Sequence, residues 1–226
     1  THDDALPERL TDVSVAAGWS ATGEQGRRLG LVAGVGYAGD APFADSEAFY
    51  IQADVIYELP LDERSKLSLL FNYHGNRTFW PDVPLPAVSY AHRVNDTLSY
   101  VVGAPASEVR WRPHPRWLVN IRYYVPTTVD AVVEYELSRS WRLFAQFDNR
   151  LDAFVVDGQE DRRLFFSQRR LEAGVRYQPH PQCDLVLAGG YAFDQSFERG
   201  WDIRDLDTVR DVDDSPYLRG GLELRF

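Results

Sequence analysis

The stretch GGLELRF, Gly220–Phe226, alternates in chemistry from one residue to the next. Phe226, Leu224, Leu222 and Leu218 fall on one parity, with Gly220 among them. Arg225, Glu223 and Arg219 fall on the other, with Gly221 and Tyr217. In an extended strand those parities are opposite faces of a sheet, so one face is oily and the other charged. Any half-buried antiparallel strand reads this way. The rest of the chain must decide what the oily face meets.

Working back from this stretch, the same rhythm recurs about eleven times, and no convincing helical period interrupts it. Its oily positions include Val13, Val15, Ala17 and Trp19; Leu31, Ala33 and Val35; Ile51, Val55 and Tyr57; and Leu67, Leu69 and Phe71. They continue with Val109 and Trp111; Trp117, Val119 and Ile121; Val133 and Tyr135; Trp141, Leu143 and Ala145; Leu171, Ala173 and Val175; and Leu185 and Leu187. The intervening positions are densely charged, with both signs. The connections 62–65, 113–116, 138–140 and 178–182 read as short turns, whereas 79–97, 157–163 and 198–215 read as longer loops.

The formal net charge is -10, which argues against a nucleic-acid partner, since such proteins normally carry a basic face. A single Cys183 cannot form an internal disulfide. No run of 18 apolar residues is present, so no transmembrane helix is expected. A membrane barrel needs none, because its hydrophobicity is hidden in alternate positions. Aromatic residues are abundant, at 13%. Many stand at strand ends, among them Trp19, Tyr57, Trp111, Trp117, Tyr135, Trp141 and Tyr177, where rings straddle a membrane–water interface. Alternating short and long connections match the periplasmic turns and external loops of such barrels. The expected fold is therefore all-β: an antiparallel transmembrane β-barrel of about 10–12 strands. It is read as one domain over 1–226, with 1–11 as an N-terminal extension.

Gly221, Leu224 and Phe226 resemble the C-terminal signal of bacterial outer-membrane β-barrel proteins: a final aromatic, alternate apolar residues and a glycine further back. Gly220 replaces the polar residue usually found before that glycine. The resemblance implies recognition by the barrel-assembly machinery and a place in the bacterial outer membrane, among lipid and lipopolysaccharide. Residues 103–117, GAPASEVRWRPHPRW, are similar to a segment of an uncharacterised family of outer-membrane barrels. Trp111, Arg112, Pro113 and Trp117 match it, and Ala104–Pro105 stands in for a Leu-Pro pair. That family carries no activity to transfer.

The charged parity is the most informative constellation. Arg110, Arg112, Arg122, Arg142, Arg170, Arg176 and Arg219 would share a lumen with Glu134, Asp148, Glu172 and Glu223. Arg122 is expected beside Asp130 and Glu134. Such ladders either plug a narrow barrel or line a hydrated pore, and buried charges must be well matched because desolvation is costly. Other features suggest less. His114 and His180 each lie in Pro-His-Pro turns, where proline fixes the turn and no further ligand completes a metal site. Ser68, Asn72 and His74 on one strand cannot form a catalytic triad by themselves. Asp202, Asp205, Asp207, Asp211, Asp213 and Asp214 read as a solvated loop whose spacing is not that of a calcium-binding EF-hand. No catalytic residue, metal or cofactor is assigned. The reading is an outer-membrane barrel with a structural or narrow-pore role, as a component of an envelope complex with other envelope proteins. The alternatives are a barrel enzyme acting on lipid or peptide, and a soluble ligand-binding barrel.

Overall fold

The computed structural model describes residues 6–158 and 162–224. The fold is all-β, as the alternation requires. Fourteen strands are described: β1 (Thr11–Thr22), β2 (Arg28–Gly39), β3 (Phe49–Pro60), β4 (Ser65–His74), β5 (Leu85–Arg93), β6 (Leu98–Gly103) and β7 (Ala106–Trp111). They continue with β8 (Trp117–Tyr124), β9 (Thr128–Ser138), β10 (Trp141–Val155), β11 (Arg163–His180), β12 (Cys183–Gly200), β13 (Asp207–Val212) and β14 (Ser215–Leu224). A single 3-10 turn, Glu24–Gly26, joins β1 to β2.

The strands hydrogen-bond in chain order from β1 to β13, and β14 pairs with β12. A further pairing between β2 and β10, Gly39 opposite Val155, closes β2 to β10 into a nine-stranded ring. This contact is parallel, whereas β1–β2, β2–β3, β3–β4, β6–β7, β7–β8, β8–β9, β9–β10 and β12–β14 pair antiparallel. The result is the expected β-barrel with additional strands.

Register keeps the parities in step. Val15, Val35 and Ile51 face one another across β1, β2 and β3, as do Leu31, Val55 and Phe71 across β2, β3 and β4. Trp111, Val119, Val133 and Ala145 form a corresponding row from β7 to β10. A one-residue slip anywhere would move charges into these rows.

Contacts divide the chain into two compact units. The first comprises Thr1–Tyr90, Leu151–Ser167 and Ser196–Asp211, and the second Ala91–Arg150, Gln168–Gln195 and Val212–Phe226. In the first, Tyr37, Ala38, Ala48, Ala153, Phe154, Val156, Leu164 and Phe165 are buried. In the second, Phe144, Val186 and Ala188 form a small apolar cluster. Gly190 makes room in that unit: a Cβ there would collide with the ring of Tyr217, from which it lies 2.6 Å.

Two loop assignments are corrected. Residues 79–97 are not one Pro-rich loop, because they contain β5 and lead directly into β6. Their turn, 94–97, is closed by Asn95, whose Oδ1 accepts the backbone N–H groups of Thr97 and Leu98, each at 2.9 Å. The acidic stretch 198–215 is likewise interrupted by β13, and β12 runs on to Gly200. Of the extension read over 1–11, residues 1–5 lie outside the described residues, and Thr11 already pairs with Gly39.

Candidate functional site

In the second unit the charged parity forms a ladder of ion pairs. Asp148 on β10 and Glu172 on β11 are each only 4% exposed. Arg170 grips Asp148 through Nε at 3.1 Å and Nη2 at 2.9 Å, and Arg150 adds Nε at 3.1 Å. Glu134 on β9 receives Arg176 at 2.8 Å and Arg142 at 3.8 Å. Glu172 receives Arg219 at 2.5 Å and the Tyr217 hydroxyl at 3.0 Å. Asp148 and Glu172 thus each have two donors, and Glu134 has one donor and a second cation nearby, as desolvated charge demands. Arg176 also lies 5.8 Å from the ring centre of Phe144, so an apolar side chain shares the ladder.

The ladder gathers Arg142, Asp148, Arg170, Glu172, Arg176, Glu134 and Arg219. Arg122 differs from expectation: its partner is Glu108, at 3.3 Å, rather than Asp130 or Glu134. Register places Glu108 and Asp130 on either side of Arg122, and Asp130 instead accepts the Gln146 amide at 2.7 Å. Arg110 and Arg112 do not join the ladder. Arg110 stands opposite Asn120, and β7 ends at Trp111, which leaves Arg112 in the following turn. Gly221 pairs with Val186, Glu223 with Asp184 and Leu224 with Cys183 through the backbone. Phe226 lies outside the described residues.

In the first unit, sequence reading missed a cap built on Arg163, the first residue of β11. Its side chain is 7% exposed, yet no carboxylate among the described residues pairs with it. It donates instead to the carbonyl of Trp201 at 2.7 Å, to that of Arg77 at 3.0 Å and to Asn76 Oδ1 at 3.2 Å. Asn76 in turn donates to the carbonyl of Ala153 at 2.8 Å. One guanidinium therefore laces the 75–84 connection to the 201–206 connection, using the five-donor fork that only arginine offers. A backbone bond from Ile203 to Thr78, 3.0 Å, reinforces the seam.

Asp202 corrects the picture of a wholly solvated acidic loop. It is 1% exposed and is clamped by Arg204, with Nη2 at 2.6 Å. The hydrogen bonds from Arg204 hold its carboxyl down at about 2, against the opposing effect of burial. Burial pushes the Arg77 guanidinium below its ordinary range. Arg204 also stands over the stacked rings of Phe79 and Trp80. A pocket of about 210 Å³ lies beside this cap, lined by Tyr50, Asn76, Asp82, Arg162, Arg163 and Trp201 among others.

The weaker candidates resolve into local roles. His74 stacks on Tyr50, with ring centres 4.9 Å apart, and its Nδ1 accepts the Asn76 N–H. Asn72 is held by Asp54 and Arg77. His114 and His180 each accept, through Nδ1, the backbone N–H two residues on, from Arg116 and Gln182. Both therefore stiffen their own turns.

Residues 88–211 match a family described as a domain of unknown function, DUF6268. No curated protein and no solved structure matches the chain.

Proposed function

This chain belongs to the DUF6268 family, and we propose that it is an integral β-barrel of a bacterial outer membrane, with an ion-paired interior and a structural or narrow-pore role. The observation that carries this reading is inverted burial. Val15 is 68% exposed, Leu187 63% and Ile51 59%, whereas Asp148, Glu172 and Asp184 are buried. Each large apolar side chain left in water forgoes roughly 1.5–3 kcal/mol relative to burial. Soluble monomers rarely expose contiguous apolar patches beyond a few hundred Å². Lipid around the oily parity removes that difficulty. Exposed Trp19, Trp111, Trp117 and Trp141 are the aromatic residues expected at its borders.

In this reading the partners are outer-membrane lipid and lipopolysaccharide, with the barrel-assembly machinery reading the Gly221, Leu224 and Phe226 pattern. The ladder supports bracing over wide-open conduction, since its carboxylates are already neutralised by arginine. The test is fractionation of native cells without detergent. Recovery in the outer-membrane fraction, with release only by detergent, is expected. Recovery in the periplasmic soluble fraction would overturn the proposal.

A further inference from the structure

We propose that the second unit carries a phosphate-binding site at its short-turn end, adjoining the ion-pair ladder, with which it shares Arg142 and Glu134. A pocket of about 280 Å³ opens there among the 112–116 turn, the ends of β7 and β9, the starts of β8 and β10, and the end of β11. Five arginines line it: Arg110, Arg112, Arg116, Arg139 and Arg142. The acids lining it are Glu134 and Glu136. Five cations less two anions leave an excess of three positive charges, in a chain whose net charge is -10.

The excess is not absorbed locally. Arg142 reaches Glu134, which is already engaged by Arg176, and the Gln178 amide oxygen at 3.4 Å. Among the described residues Arg110, Arg112, Arg116 and Arg139 form no ion pair. Guanidinium groups collected without counter-charge repel one another, and an anion entering between them relieves that repulsion. Their planar forks match phosphate oxygens two at a time.

The turn that supplies two of them is held in place. Arg112 N donates to the carbonyl of Thr97 at 2.7 Å, Trp117 N to that of His114 at 2.9 Å, and Glu136 N to that of Arg116 at 2.8 Å. Pro113 and Pro115 restrict the backbone between those anchors. Arg112 and Arg116 are thus presented on a fixed loop, which lowers the ordering cost of binding. The volume exceeds that of a single small ion and suits a diphosphate or a phosphorylated headgroup. Such a group can come from an anionic lipid or from a soluble phosphate compound. The site is inferred from the pocket alone; only the lipid source rests on the membrane reading.

The experiment uses the full chain purified in detergent and compares it with Arg112→Ala/Arg116→Ala and with Arg169→Ala. Arg169 is an exposed arginine of the same unit, away from the pocket, that pairs with Asp194. Pyrophosphate is titrated calorimetrically at low salt, and mixed micelles containing phosphatidylglycerol are compared with phosphatidylcholine alone. Saturable binding of either phosphate probe is expected, weakened at least tenfold in the double variant and unchanged in Arg169→Ala. Pyrophosphate binding alone assigns a soluble source, and phosphatidylglycerol binding alone assigns lipid. Arg112→Lys/Arg116→Lys should bind with intermediate strength, since charge is kept and the forks are lost. Absence of saturable binding to both probes overturns the proposal, as does equal weakening by Arg169→Ala. Heat-modifiable mobility on gels checks that each variant remains folded.

Discussion

Glu172 shows how one side chain can depend on its neighbours. Its carboxylate is buried and held by Arg219 and Tyr217. Removing one partner from a buried pair is far more costly than the net worth of the pair suggests, because the remaining charge stays desolvated. Arg219→Ala should therefore destabilise the barrel by on the order of 3 kcal/mol, whereas Arg169→Ala should cost about 0.5 kcal/mol or less. Urea midpoints in detergent measure both. Asp202 makes a pH-dependent contribution of known sign. Its folded pKa, about 2, lies below the ordinary value of 3.8. The stabilisation is therefore complete above about pH 4 and is lost as pH falls toward about 2. Hydrogen exchange at residues 201–205 should accelerate across that window, and Asp202→Asn should remove the pH dependence. Arg163, by contrast, gave no sign in the sequence. It adjoins Arg162 in a polar run, and its partners are carbonyls, which no composition or spacing reveals.

For whole strands, alternation was a reliable guide where it was uninterrupted. The rows through Val35 and Ile51, and through Trp111 and Val119, follow directly from period 2, and register repeats it from strand to strand. The alternation also located most of the ladder, because the same parity holds Asp148, Arg170, Glu172 and Arg176. It could not assign partners: Asp130 does stand beside Arg122, as expected, yet the ion pair forms with Glu108 on the other side. Partner choice depends on side-chain reach across strands. β5 and β6 were lost to a different cause. Pro84 and Pro86 signal a loop, although proline is tolerated at the start of a strand. The useful signal was Asn95-Asp96, a turn dipeptide between two short alternating runs. Asn95→Ala should leave the backbone N–H groups of Thr97 and Leu98 without their side-chain acceptor and cost about 1 kcal/mol, seen as faster amide exchange at residues 94–98. A second expectation tests register. Ala173 lies on the oily parity beside Glu172, so Ala173→Arg should cost about 2–4 kcal/mol in a bilayer. Glu172→Gln, which keeps a hydrogen-bonding side chain, should cost less. Equal effects would mean the parities are exchanged.

On the scale of the molecule, the sequence distinguished oily from charged faces but not inside from outside. Either face of a period-2 strand can be the buried one, and only the three-dimensional arrangement shows that Asp148 and Glu172 are enclosed while Leu171 and Leu187 are not. Given that inversion, the proposed membrane barrel should pass little current. In planar bilayers the unmutated protein is expected to show small or no steady conductance. Arg142→Ala and Arg176→Ala together should leave Glu134 without its ion-pair partners and raise the leak. A large, stable conductance in the unmutated protein would favour an open pore. The latch at Arg163 has a further consequence, for digestion of intact cells. Trypsin must draw an arginine side chain into its own specificity pocket. Arg162, with 60% of its side chain exposed and an exposed ion pair to Asp207 at 3.7 Å, can exchange into that pocket, but Arg163 is occupied by three acceptors. Shaved cells should therefore yield peptides ending at Arg162 rather than Arg163, two neighbouring cleavage sites separated only by how one of them is held.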